Sequence, residues 1–114
     1  MQKKKGTQFE KEFAVMLFNA GFWVRLDKGT AQTCDIIAGK NNVIYLFECK
    51  TCIKDYFDLN RIEDNQRMSR RMFKVKGNDN AYFAFKVEDK IYLSKEPIKK
   101  PSEGVEFNDW IHKQ

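Results

Sequence analysis

Apolar residues recur three and four positions apart at Phe9, Phe13, Met16, Leu17 and Ala20, the period of one face of an amphipathic helix. Thr7 with Glu10 three residues on has the form of a capping box, so the spacing predicts a helix that starts near Thr7 and stops at Gly21. Residues 22–26 read as a short strand, followed by an Asp27-Lys28-Gly29 turn. Residues 35–38 and 43–50 are apolar and β-branched, and Gly39-Lys40-Asn41-Asn42 between them has hairpin-turn chemistry, so the two segments should pair antiparallel. Asn60 with Glu63 marks a second helix start, running to about Phe73 before Gly77-Asn78-Asp79-Asn80 breaks it. Residues 81–87 and 90–93 form two further strands about a Glu88-Asp89 turn, residues 97–104 a surface loop, and residues 108–112 a short last helix. The order predicts an α/β domain whose mixed central sheet of about five strands is flanked by helices.

A chain of 114 residues has room for one hydrophobic core, so 1–114 reads as a single domain with 1–6 a flexible basic arm. Hydrophobic residues at 42% and charged residues at 32% place it among globular chains. No apolar run approaches the roughly 18 residues of a membrane span, and the basic start lacks a signal core, so the expectation is a cytoplasmic protein with no membrane partner. A formal charge of +5 and a pI near 9.1 favour a polyanion as partner. Lys3, Lys4 and Lys5 cluster at the start, and Arg61, Arg67, Arg70, Arg71, Lys74 and Lys76 crowd a middle segment. Lys3, Lys4, Lys5, Arg67, Arg70 and Arg71 either hold phosphates or form ordinary solvated faces. Cys34, Cys49 and Cys52 are an odd set in a chain without an export signal and read as reduced thiols; Cys49-Lys50-Thr51-Cys52 matches C-x-x-C, the alternative being a zinc site that only Cys34 and His112 could complete.

The chemistry gathers on the third strand. Alternate side chains of a strand share a face, so Glu48 and Lys50 stand side by side, roughly 7 Å apart at Cα, while Cys49 faces away. If Ala38 pairs with Val43, Asp35 lies opposite Leu46 on the face of Glu48, and one cation bridges the two carboxylates. Glu10, at the edge of the first helix's apolar stripe, is placed to overhang the same site or simply to complete a cap with Thr7. Three carboxylates are hard oxygen ligands and suit Mg²⁺, with Mn²⁺ as a substitute, far better than zinc. Lys50 among them would stabilise charge on a phosphate. Each residue also has a plain structural reading: Asp35 as a strand start, Glu48 with Lys50 as a solvated ion pair worth under about 1 kcal/mol. Against that, Glu48 and Lys50 end the most apolar strand of the chain, where partnerless charge is costly. Gln66 lies on the apolar face of the second helix and either reaches the site or bonds backbone at the core edge.

Cys34-Asp35 followed by Glu48-Cys49-Lys50, with Glu10 on the preceding helix, resembles the PD-(D/E)xK nuclease superfamily. The segments 5–10, 21–25, 33–39 and 45–51 are similar, in order and spacing, to archaeal-type Holliday-junction resolvases, over roughly residues 5–95. Residues 47–73, with Asn65-Gln66, are also similar to the Gram-positive and phage resolvases related to penicillin-binding-protein-related factor A. Cys34 stands where the family usually has proline, and the stalk of the bacterial enzymes is missing. The resemblance implies a restriction-endonuclease-like core and a Mg²⁺-dependent endodeoxyribonuclease acting on branched DNA, in recombination or phage DNA processing, in a prokaryotic cell or infected host. It implies Glu10, Asp35 and Glu48 as metal ligands, Lys50 as catalytic lysine, Gln66 as helper and Arg25 near the DNA, with no small-molecule cofactor. It further implies a homodimer, whose apolar patch is expected at Tyr82, Phe83, Phe85, Tyr92 and Trp110. The alternatives are a nuclease of this type for flaps or a restriction-like target, and a non-catalytic DNA-binding module on the same fold.

Overall fold

The computed structural model describes residues 2–27 and 34–114, with side chains from residue 8 onward. Among the described residues six strands form one mixed sheet: β1 (Trp23–Leu26), β2 (Ile36–Lys40), β3 (Val43–Cys52), β4 (Ala81–Val87), β5 (Lys90–Ser94) and β6 (Val105–Glu106), neighbouring one another in chain order. The sixth, two residues long, adds to the expected five. Only β3 and β4 run parallel, joined by helix α2 (Asp64–Val75); every other pair is antiparallel. Helix α1 (Gln2–Asn19) precedes the sheet and the short α3 (Phe107–Ile111) follows it.

Helix α1 begins at Gln2, so Thr7 and Glu10 lie inside it rather than at its cap, and residues 2–6 continue the helix instead of forming a separate arm. The side chains of Lys3, Lys4 and Lys5 lie outside the described residues. Gly21 ends α1 as anticipated: its φ of 96° lets Phe22 N donate to Leu17 O at 3.0 Å, closing the last turn. The β2–β3 turn narrows to Asn41-Asn42, whose φ of 53° and 66° suit a two-residue turn that follows the twist of the strands.

Register decides which side chains meet. Ala38 pairs with Tyr45, not Val43, a shift of two residues from the expected pairing, and Ile36 pairs with Phe47. Because side chains alternate with period two, the shift moves partners without changing faces. On one face Tyr45, Phe47 and Cys49 meet Phe9, Phe13 and Leu17 of α1 together with Tyr82, Phe107 and Trp110. The rings interlock edge-on, Phe13 to Phe47 at 5.3 Å and Phe13 to Phe107 at 5.4 Å, a geometry worth about 0.5–1.5 kcal/mol per pair beyond burial. On the other face a smaller core of Cys52, Phe57, Ile62, Phe83 and Phe85 lies beneath the chain leading into α2. Tyr82, Phe83, Phe85 and Trp110 are thus buried, at 8% exposure or less, and do not form the expected dimer patch. The exposed large apolar side chains include Trp23 and Ile44 on the open part of the sheet, Val15 and Phe18 on α1, and Met68, Met72 and Val75 on α2.

Candidate active site

Glu48 is the anomaly of the interior. It lies in mid-β3 with 1% exposure, and both carboxylate oxygens are buried without a hydrogen-bond donor. Burial, then the negative charge of Asp35, push its pKa up to about 9, with Lys50 and Arg70 opposing. A buried carboxylate is costly in its ionised form unless a partner offsets its charge.

Asp35, just before β2, is fixed on three sides. Its N–H donates to Phe47 O at 3.1 Å, its carbonyl accepts from Asp27 N at 2.9 Å, and its Oδ2 accepts from Cys49 N at 2.7 Å. Its carboxyl group lies within hydrogen-bonding reach of Glu48. Two carboxyl groups this close cannot both stay ionised at little cost; a shared proton, or a cation between them, resolves the contact.

Lys50, two residues beyond Glu48 on the same face, donates from Nζ to Gln66 Oε1 at 3.3 Å. The same Gln66 oxygen accepts from Glu63 N at 3.2 Å, at the start of α2. Gln66, 5% exposed, is thus the backbone-bonded amide at a core edge, and the same oxygen also accepts from Lys50. The second helix is capped from Glu63 rather than from Asn60; Asp58 Oδ1 instead accepts from Asn60 N at the head of the short 3₁₀ turn Leu59–Arg61.

Glu10 approaches from the neighbouring helix α1. It is half-buried on α1, close enough to Cys49 to help burial and Asp35 raise that thiol's pKa. Among the described residues no three carboxylate, histidine or cysteine side chains converge as a metal-holding group. The structure thus brings together Asp35, Glu48, Lys50 and Gln66, and does not complete the expected three-carboxylate cluster with Glu10. The donor set still fits a hard divalent cation: two carboxylates, one with both oxygens unpartnered, and no sulfur or imidazole ligand. The three cysteines are free thiols, and burial raises the pKa of each.

The arginines divide. Arg25 is exposed on β1 and pairs with Ile37, which pairs with Leu46, so it shares the face of Glu48. Arg67 and Arg71 are exposed on α2, with Arg67 Nη2 donating to Leu59 O at 3.3 Å. Arg70 does not join that solvated face. Its guanidinium lies 4.2 Å over the Phe83 ring, its Nη2 donates to Lys95 O, and its Nη1 is buried without an acceptor. Burial lowers its pKa while Glu48 and Glu96 raise it. The basic run of the sequence hid this residue; its one signal was the four-residue step from Gln66, which puts both on one helix face.

A family model for the archaeal Holliday junction resolvase (Hjc) matches residues 1–112. The chain belongs to the archaeal Hjc family. Over 65 residues it is 37% identical to the crossover junction endodeoxyribonuclease Hjc of Methanocaldococcus jannaschii, a stretch covering 57% of this chain and 47% of that protein. The chain thus spans about half the length of the curated relative it matches. The crystal structure of Archaeoglobus fulgidus Hjc, a Holliday junction resolvase from an archaeal hyperthermophile, superposes with a TM-score of 0.71 at 22% identity, covering 95% of this chain and 96% of that one. The fold is shared end to end, including the mixed sheet. No described helix is long and apolar enough to cross a membrane.

Proposed function

We propose that this Hjc-family chain is a divalent-metal-dependent endodeoxyribonuclease that cuts four-way DNA junctions as a homodimer in the cytoplasm. The observation that carries the reading is Glu48: a buried carboxylate with two unpartnered oxygens, beside Asp35 and two residues from a tethered lysine. Asp35 and Glu48 would hold Mg²⁺ or Mn²⁺, which when bound lowers the pKa of a water and neutralises phosphate charge. Cys49 N fixes the orientation of Asp35, so that carboxylate needs no reorganisation when it takes up a ligand. Lys50 Nζ, aimed by Gln66 Oε1, stabilises the negative charge that grows on the phosphate as the strand breaks. Gln66 is a positioning residue, and Glu10 acts from α1 as an auxiliary carboxylate.

Arg25 on the site's face and Arg67 and Arg71 on α2 supply phosphate contacts, and the net charge of +5 supports a backbone grip. Two cuts related by a two-fold axis require two sites, and one domain carries one, so a symmetric dimer belongs to the reading. The names of the relatives favour a four-way junction as substrate over a flap or a linear duplex. A cut-site map on labelled junction, flap and duplex tests it: paired symmetric nicks across the junction are expected, and a monomer that nicks duplex as readily as junction would reject the substrate while leaving the nuclease.

A further inference from the structure

We propose that Arg70 is a positioning residue of this site, a fixed positive charge that holds down the affinity of Glu48 for a divalent cation until DNA arrives. The inference rests on the reading of Glu48 as a metal ligand. On the parallel strand β4, Phe83 lies abreast of Glu48, and the guanidinium of Arg70 lies over that ring at 4.2 Å. Stacking sets the plane of the group, and the bond from Nη2 to Lys95 O sets its direction. Its Nη1 has no acceptor, as the oxygens of Glu48 have no donor. Arg70 and Gln66 sit one helical turn apart, and Glu48 and Lys50 sit two strand residues apart. The two repeats nearly match, about 6 Å on the helix and 7 Å on the strand. One face of α2 therefore sets Gln66 against Lys50 and Arg70 beside Glu48.

The consequence is electrostatic. Lys50 and Arg70 set two positive charges against the two carboxyl groups of Asp35 and Glu48, so the group carries little net negative charge to draw in a cation. A guanidinium stays charged in proteins, and in a buried setting its repulsion of an incoming dication is weakly screened. The phosphodiester of an arriving strand adds negative charge and offsets Arg70, which couples metal loading to DNA binding.

The test measures Mn²⁺ binding by electron paramagnetic resonance, without DNA and with a junction made uncleavable at its phosphates. Without DNA, Arg70→Gln should bind Mn²⁺ on the order of tenfold tighter than wild type. Arg70→Lys, which keeps the charge, should stay near wild type, and the gain in affinity on adding junction should shrink in Arg70→Gln. Glu48→Gln should lose the binding. Unchanged or weaker binding in Arg70→Gln, with binding still lost in Glu48→Gln, overturns the role of Arg70 and keeps the site; binding that survives Glu48→Gln overturns the site itself. Should Arg70→Gln fail to fold, wild type carries the test by nuclear magnetic resonance: the Arg70 Nε–H signal should move on adding Mg²⁺, but stay fixed in Glu48→Gln. A signal indifferent to Mg²⁺ in wild type contradicts the proposal.

Discussion

The two faces of β3 use one backbone for different ends. Towards α1, Tyr45, Phe47 and Cys49 enter a core of interlocked rings. Towards α2, Glu48 and Lys50 meet a helix that answers with Gln66 and Arg70. The first face leaves one buried nitrogen, Trp110 Nε1, without a partner, whereas the second leaves both oxygens of Glu48 and one nitrogen of Arg70 so. Alternation with period two lets one strand carry both, because substitutions on one side leave the other side's packing in place. The closed face supplies stability and the open one holds the unmet valence from which activity is built.

The largest effect that separates them is expected from Asp35→Ala or Glu48→Ala, which should lower cleavage at least ~10³-fold with DNA binding unchanged or tighter, since repulsion of phosphate is reduced. Gel-shift and cleavage assays on one preparation check both halves, and either variant cutting at the wild-type rate would dissolve the distinction between the faces. On the closed face, Phe47→Ala should cost about 3–5 kcal/mol of stability through its cavity. Denaturant melts would show it, while the folded fraction should retain its cleavage rate.

Lys50→Ala should slow cleavage by at least ~10²-fold, comparable with removing one transition-state charge stabiliser. Gln66→Ala, acting through Lys50, should cost less, and Glu10→Ala less than Asp35→Ala because Glu10 forms no three-ligand group with Asp35 and Glu48. Single-turnover rates rank the four, and a Gln66→Ala loss equal to that of Lys50→Ala would make the amide a direct participant.

A smaller effect concerns pH. Glu48 has a folded pKa of about 9, raised by burial and Asp35 above its ordinary 4.5. The folded state then binds the proton more tightly than the unfolded one, so stability from this group is complete below pH 4.5 and is lost as pH rises towards 9. In chelator the melting temperature of wild type should fall across that window more steeply than that of Glu48→Gln, and Mg²⁺ should restore several degrees. Parallel curves for the two proteins would mean that Glu48 is better solvated than its burial indicates.

Much of this was legible in the chain because period-two alternation tolerates error. The hairpin register expected from sequence was off by two residues, yet Asp35, Glu48 and Lys50 kept to one face. The apolar rhythm marked α1, but its first turn is polar and basic, so the start at Gln2 was hidden behind a plausible cap at Thr7. The aromatic surplus of the last strands was real; what composition could not tell is that a second core under α2 consumes Phe83 and Phe85. The inward direction of Arg70, read from sequence only as a phosphate contact or a solvated residue, depends on Phe83, which follows it in sequence and meets it only in the folded sheet. The two-residue β6 is too short for any periodic signal.

The central claim, that the face of β3 turned to α2 is a metal-dependent DNA-cutting site, is tested most directly by incubating a labelled four-way junction with the protein in Mg²⁺ and in chelator, with Glu48→Ala alongside. Cleavage by wild type in Mg²⁺ alone, absent in chelator and absent in Glu48→Ala, is the result expected. Cleavage that persists in chelator, or in Glu48→Ala, would contradict it.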